Sequence, residues 1–369
     1  MRIFHLCADQ GVPLDGTKGA SVHLRDLATA FARQGHDVRM FVANLGSGPS
    51  DGLPFGVQEL ETDSIRDAAA TYGRPDAVYE RYALGHDEGL GAARDLDLPF
   101  VLEVNAPLVA EASRHRPWKV GPGDREVERK LFREADLVVA VSEPLRSYVA
   151  EVRGTSRGTT VVRNGCDPER FAAVRPPARD GEAATLVFLG HPKPWHGAEE
   201  LPRLVAELRR RGHDVRLLLI GGGQRANRVL DRARAKGVLD HVEVTDELSP
   251  EEAARRLSEG TVAVAPYPPH PFFYFCPLKV MECMAAGLPV VSTAQGDVPL
   301  ILGDAGVAVP PGDRTALADA VETLLSDDDL RRSLGDRARA RAMSTFTWDH
   351  AADDVIESIR QVSVRGHAA

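Results

Sequence analysis

The sequence predicts an α/β protein of two doubly wound, Rossmann-like domains facing each other across a cleft, and three observations carry that prediction. Short apolar runs alternate with stretches of helical periodicity along the whole chain, the pattern of a mostly parallel sheet covered on both faces. Near the middle the alternation breaks once, at AAVRPPARDGE (172–182), a Pro-, Gly- and charge-rich stretch without periodicity. The length of 369 residues also exceeds what one core fills, since single cores stop growing at about 250 to 300 residues.

In the first half, MRIFHLCA (1–8) reads as a strand and 11–19 as a Gly- and Asp-rich loop. Residues 21–34 form a helix with Val22, Leu24, Leu27, Ala28 and Phe31 at helical spacing, and Gly35 stops it. Strands follow at 38–42, 77–79, 100–104 and 137–141, the last preceded by a helix at 125–134. Beyond the break the pattern restarts with strands at 185–189, 215–221, 242–244, 262–265 and 290–292. Helices at 199–211, 225–236, 250–257 and 277–286 separate them, and helices at 315–326, 328–345 and 348–361 close the chain. The expected domains are therefore 1–171 and 183–346, with 347–369 packing back on the first.

Composition narrows the function. Hydrophobic residues at 43% and charged residues at 27% are those of a soluble globular chain. A net charge of -9 disfavours a nucleic-acid partner, which needs clustered Lys and Arg. Basic residues are nearly all arginine, lysine occurring at 18, 119, 130, 193, 236 and 279, a bias that speaks of a GC-rich bacterial source. No secretion signal and no run of about 18 apolar residues is found. Cys7, Cys166, Cys276 and Cys283 lack metal-ligand spacing, so reduced thiols and a cytoplasmic location are expected, with no metal and no cofactor.

Ligands of open α/β sheets bind at the carboxyl ends of strands, so the loops there carry the candidate residues. The run FFYFCPLKVMECMAAGLPVVS (272–292) places a helix start at Cys276-Pro277, with Pro in the first turn. Free N–H groups and the positive end of the helix dipole make such a start a diphosphate site. Glu282, one and a half turns in, suits the vicinal hydroxyls of a pentose; it equally suits a solvated helix glutamate beside Val280, Met281 and Met284. Asp95-Leu96-Asp97 fits a metal-binding D-x-D pattern but precedes a strand, and reads as a surface turn. Gly221-Gly222-Gly223 lacks dinucleotide spacing and reads as a turn or a loop approaching the ligand.

The run CPLKVMECMAAGLPVVST resembles the donor motif of the family-four retaining glycosyltransferases of the GT-B superfamily, in which two glutamates separated by seven residues precede a small-residue turn and a strand. The resemblance makes Glu282 the ribose-binding glutamate and Phe275, Cys276, Pro277 and Leu278 the donor-binding stretch. The first glutamate falls on Tyr274, a departure in which a phenol stands where the family contacts the sugar hydroxyls. FLGHPKPWHG (188–197) resembles the family's basic loop in a K-P-W-H-G variant, with Lys193 and His196 as the cations for the diphosphate and Gly190 admitting the ligand. GTKGASVH (16–23) resembles the family's glycine-rich loop, putting Gly19 at the donor and Ser21 and His23 on the acceptor side. Arg81 and Asn105 stand at strand ends where many relatives carry histidines, and with Glu103 they are acceptor or sugar candidates; an Arg–Glu bridge and an Asn turn are their plain alternatives. RNGCDPERF (163–171) resembles the hinge and FTWDHAADDV (346–355) the terminal crossing helix.

What the resemblance implies is metal-independent transfer from an NDP-sugar (UDP- or GDP-) with retention. Lys193, His196 and Tyr274 are the catalytic candidates, and the departing diphosphate takes the proton. The acceptor is expected to be soluble, a secondary metabolite or thiol, with a polysaccharide or glycolipid precursor as the alternative and a homodimer left open. A nucleotide-sugar epimerase and an inactive nucleotide-sugar-binding protein are the rival readings.

Overall fold

A computed structural model describes residues 1–48, 52–61, 63–115, 118, 120–176, 183–223 and 225–366. Residues 177–182 of the expected linker and 367–369 of the expected closing helix lie outside the described residues.

The first sheet contains β1 (Arg2–Cys7), β2 (Asp37–Val42), β3 (Gly56–Glu59), β4 (Ala77–Arg81), β5 (Phe100–Val104), β6 (Leu137–Ala140) and β7 (Thr159–Val161), in the order β3-β2-β1-β4-β5-β6-β7. The second holds β8 (Ala184–Leu189), β9 (Val215–Ile220), β10 (Val242–Val244), β11 (Val262–Ala265), β12 (Val290–Thr293) and β13 (Val307–Val309), in the order β10-β9-β8-β11-β12-β13. Every pairing is parallel. Sequences such as LVVA in β6 and VAVA in β11 are buried at every position, because helices cover both faces of a parallel sheet. In each unit the strand order reverses beside the first strand, β1/β4 and β8/β11. Such switch points open a crevice at the carboxyl ends, and the two crevices face each other.

Three strands escape the sequence reading: β3 and β7, which are partly exposed edge strands of four and three residues, and the three-residue edge strand β13. Shortness alone is not the reason, since β10 (Val242–Val244), an edge strand just as short, is read correctly. Helices Ser64–Tyr72, Glu88–Asp95, Leu108–His115 and Glu143–Arg153 were likewise not anticipated. The expected helix at 277–286 runs Leu278–Ala285, with Pro277 outside it as an extended N-cap (φ -78°, ψ 100°) rather than in the first turn. Asp95 ends a helix and Asp97 turns with φ 51°, as a surface turn requires.

The chain crosses between the domains twice. After the hinge and 183 it enters the second sheet, and helix Trp348–Gly366 returns to the first, where Trp348, Ala351, Ala352, Val355, Ile356 and Ile359 share one core with Ile3, Leu24 and Leu27. The two crossings touch. The Cys166 N–H donates to the Phe346 carbonyl (2.8 Å) and the Trp348 N–H to the Cys166 carbonyl (3.1 Å). Gly165 makes this approach feasible, since a Cβ there would stand 2.3 Å from the Thr347 carbonyl carbon.

Candidate active site

A cavity of about 440 Å³ lies between the sheets, at the carboxyl ends of their strands. Its floor is the start of helix Leu278–Ala285, whose first N–H groups have no partner within the helix. Gly19, at the start of helix Gly19–Arg33, faces this floor, 3.4 Å from Leu278 Cδ1 if given a Cβ. Gly19, Phe275, Cys276, Pro277, Leu278 and Glu282 all line the cavity, together with Gly190, Lys193, His196 and Tyr274.

Glu282 is half-buried at the floor. Burial, with Asp26 nearby, pushes its carboxyl up to about 7, against the pull of Arg170 and Lys279. One turn earlier on the same face stands Lys279, a residue the sequence reading passed over. Its ammonium lies 4.0 Å from the Phe188 ring centroid, buried and without a hydrogen-bond partner. Burial pulls it down to about 7, partly offset by Cys283 and Glu282. Gly190, with φ 94°, keeps the space beside it open: a Cβ there would come within 3.8 Å of the Lys279 nitrogen.

His196 does not fit the cationic role expected of it. Its Nδ1 donates to the His191 carbonyl at 2.9 Å, and burial, followed by the charge of Lys279, pushes the ring down to about 2. It is a neutral, oriented imidazole, and the buried cation in this wall is Lys279. Lys193 is exposed at the mouth.

On the opposite wall, His23 is held at both nitrogens. Nδ1 pairs with Asn164 Oδ1 at 2.9 Å and Nε2 with Glu103 Oε1 at 2.8 Å, while Trp348 meets the ring edge-on at 4.8 Å. Tyr79 also donates to Glu103 Oε1, at 2.8 Å. Burial alone would raise the Glu103 carboxyl, but His23, Arg81 and His5 bring it down to about 2. Glu103 is buried behind the wall and Arg81 stands 3.7 Å from its second oxygen, so the expected contact of Glu103 with a substrate is replaced by support of His23 and Arg81. Ser21 is not on the cavity either: it is buried, its hydroxyl tucked against Gly16. His23, Arg81 and Asn105 do line the cavity, and both amide atoms of Asn105 are buried without partners.

Several bonds tie the donor loop to the first domain. Asn164 donates from its amide to the Cys276 carbonyl (2.8 Å) and from its backbone to Cys276 Sγ (3.3 Å). Burial pushes the Cys276 thiol up to about 12, which removes it as a nucleophile. Ser142 donates to the Tyr274 carbonyl at 2.6 Å, and the Tyr274 hydroxyl donates to Glu111 Oε2 at 2.6 Å. Phe275 lies parallel to Trp195, at 6.3 Å and 7°. Lys279, Glu111 and Asn164 were not among the expected site residues; Lys279 had a local signal, a lysine in the apolar run LKVMECMA three residues before Glu282 and hence on its face, and Asn164 lay in the hinge motif RNGCDPERF, whereas Glu111 had none.

Chemically, the floor joins anion-binding N–H groups to a buried cation and a carboxylate suited to a diol. Residues 17–170 match the model of Glycosyltransferase Family 4, and residues 183–327 that of Glycosyl transferases group 1. The chain is 29% identical to a glycogen synthase of Mycobacterium tuberculosis over 90% of its own length and 89% of the relative's. It is 28% identical to a D-inositol 3-phosphate glycosyltransferase of Corynebacterium diphtheriae, covering 92% and 89%. Among solved structures, sucrose-phosphate synthase of Thermosynechococcus elongatus superposes with TM-score 0.78 at 20% identity, covering 99% of each chain. Anabaena HepE, solved with UDP and glucose, superposes with TM-score 0.71 at 17% identity, covering 98% of this chain and all of that one.

Proposed function

As the chain is a group 1 glycosyltransferase of GT-B fold, its halves matching the family 4 and group 1 models in order, we propose that it moves a sugar from a nucleoside diphosphate sugar to an acceptor with retention of configuration. The observation that carries this reading is the buried, unpartnered Lys279 ammonium beside Glu282 at a helix start inside the cleft. A buried cation without a partner is costly, and a diphosphate supplies the missing charge.

In this reading Glu282 accepts the hydroxyls of the ribose, while Lys279 and the N–H groups of the helix start hold the diphosphate, with Lys193 at the rim. These donors are fixed before reaction and meet the negative charge that develops as the bond from the anomeric carbon to the diphosphate breaks. The protein's own cations do this, without a metal. His196 orients the loop rather than contributing charge. The reading enlists no base from the first domain: Glu103 is buried and held ionised by its partners, and Glu111, which does line the cavity, is engaged by the Tyr274 hydroxyl. In this reading the acceptor attacks on the face the diphosphate leaves, and the departing oxygen takes its proton. Four buried, unpaired thiols suit a cytoplasmic setting. With a net charge of -9 the chain is repelled by anionic lipid surfaces, which favours a soluble acceptor such as a secondary metabolite or thiol over a glycolipid precursor. Among the described residues no helix is long and apolar enough to cross a membrane.

The test is incubation with UDP- and GDP-sugars and a panel of alcohol, thiol and glycan acceptors, following release of nucleoside diphosphate. Isomerised sugar nucleotide without release would point to an epimerase, and binding without turnover to an inactive binder; either defeats the proposal. Glu282→Ala weakens nucleotide binding by about tenfold or more, the worth of hydrogen bonds to a charged group, and unchanged affinity removes the ribose assignment.

A further inference from the structure

Resting on the donor reading above, we propose that the acceptor carries an oxyanion, a carboxylate or a phosphate, and that Arg81 and Asn105 hold it on the first-domain wall of the cleft.

Arg81 is the last residue of β4 and pairs with Glu103 of β5, and Asn105 follows directly on the end of β5. The two therefore stand at neighbouring strand ends, and both line the cavity. Neither is satisfied by the protein. One Nη nitrogen of Arg81 is buried without a hydrogen-bond partner, and so are both amide atoms of Asn105, although buried polar groups are nearly always bonded. Glu103 does not fill the gap: its Oε2 stands 3.7 Å from the guanidinium, beyond hydrogen-bond reach, and its Oε1 is bonded to His23 and Tyr79. Its side chain is 3% exposed against 13% for Arg81, so an anion in the cavity meets the cation before the carboxylate behind it.

The chemistry of the pair selects the ligand. A guanidinium is a planar fork of N–H groups that matches two oxygens of a carboxylate or phosphate. The Asn105 amide nitrogen adds a donor to the same group, and its carbonyl accepts from a hydroxyl of the acceptor. The donor's diphosphate does not compete for this place, because its own cation, Lys279, and the helix start lie on the other domain. Glu111, the other carboxylate of this wall, is engaged toward the donor loop by the Tyr274 hydroxyl. Two cations on facing walls thus sort two anions, the donor's on one side and the acceptor's on the other.

The experiment saturates the protein with UDP or GDP and then titrates glucose 6-phosphate, glucuronate and glucose into wild type, Arg81→Gln and Asn105→Ala, with melting curves run alongside. Wild type binds at least one of the two anionic sugars about tenfold or more tightly than glucose, and the one it prefers says whether the acceptor carries phosphate or carboxylate. Arg81→Gln and Asn105→Ala each lower that affinity by about tenfold, while nucleotide affinity stays within about twofold of wild type. Asn105→Ala keeps the pair of Arg81 with Glu103, so the test survives if Arg81→Gln misfolds. No preference for either anion over glucose, a preference that outlasts the substitutions, or an equal loss of nucleotide affinity overturns the proposal and leaves the donor reading standing. If wild type binds neither UDP nor GDP, the donor reading fails and the acceptor assignment with it.

Discussion

Replacing Lys279 by Met separates what this side chain does for the ligand from what it costs the fold. Its amine falls from 10.5 to about 7 on burial. At about 1.4 kcal/mol per unit of pH, that is roughly 5 kcal/mol against the charged form, an upper bound that water in the cleft reduces to about 1 to 3 kcal/mol. The sign follows from proton counts. Between pH 7 and 10.5 the unfolded chain binds a proton the folded chain lacks, so stability rises with pH across that window; below 7 the full penalty is present. Lys279→Met removes the penalty and keeps the stem's packing, so it raises the melting temperature at pH 6.5 by a few degrees and has little effect at pH 10. Binding moves the other way. Losing a charge-assisted bond to the diphosphate is worth about 1.5 to 3 kcal/mol, or about ten- to a hundredfold in UDP or GDP affinity. The amine must gain a proton to hold the anion, so Lys279 contributes a fall in wild-type affinity as pH climbs past about 7 that the variant lacks, while the titration of Glu282 near 7 is common to both. Calorimetric titration at pH 6.5, 7.5 and 8.5 beside melting curves reads both effects. A variant that binds nucleotide as wild type does, or that melts lower at pH 6.5, refutes the reasoning.

Other residues give further tests. Arg170→Met breaks a two-pronged bridge to Asp26 (2.8 and 3.0 Å) in which both side chains are under 10% exposed; leaving Asp26 unpaired costs about 3 to 5 kcal/mol, seen as a lower denaturation midpoint. Gly165→Ala forces a methyl against backbone of the second crossing and costs about 1 to 3 kcal/mol, whereas an unchanged melting temperature means that the crossings do not touch in solution. Burial pushes the thiols of Cys7, Cys166 and Cys276 up to about 11, 12 and 12, so a disulfide reagent at pH 8 modifies the native protein slowly and all four cysteines only after unfolding.

The architecture was legible because parallel strands buried on both faces read as unbroken apolar runs, and the sequence break at 172–182 fell between two such series. The short edges β3, β7 and β13 were not, although β10, an edge strand of three partly exposed residues, was. Within the site, Glu282 and the Cys276–Leu278 stretch line the cavity where the motif resemblance put them, although spacing alone left Glu282 open to being a solvated helix glutamate. Glu111 could not be read locally: nothing near 111 announces a partner at 274, and only the closure of one domain on the other brings them to 2.6 Å. His196 was misjudged for a related reason. A histidine in a loop reads as a cation until its neighbours are known, and here burial and Lys279, 83 positions away, keep it neutral. Burial and long-range charge decide such roles, and neither is written in a window of ten residues.

The paired crossings at Gly165 and Thr347 bear on how substrates enter and leave. A single tether lets two bodies swivel, twist and slide. Two tethers laid side by side and hydrogen-bonded to each other act as the spine of a book, leaving one easy rotation about the line where the strands meet. Sites close to the spine, such as Asn164 against Cys276, shift little during that rotation, whereas groups far out on the two covers part widely from a small angular change.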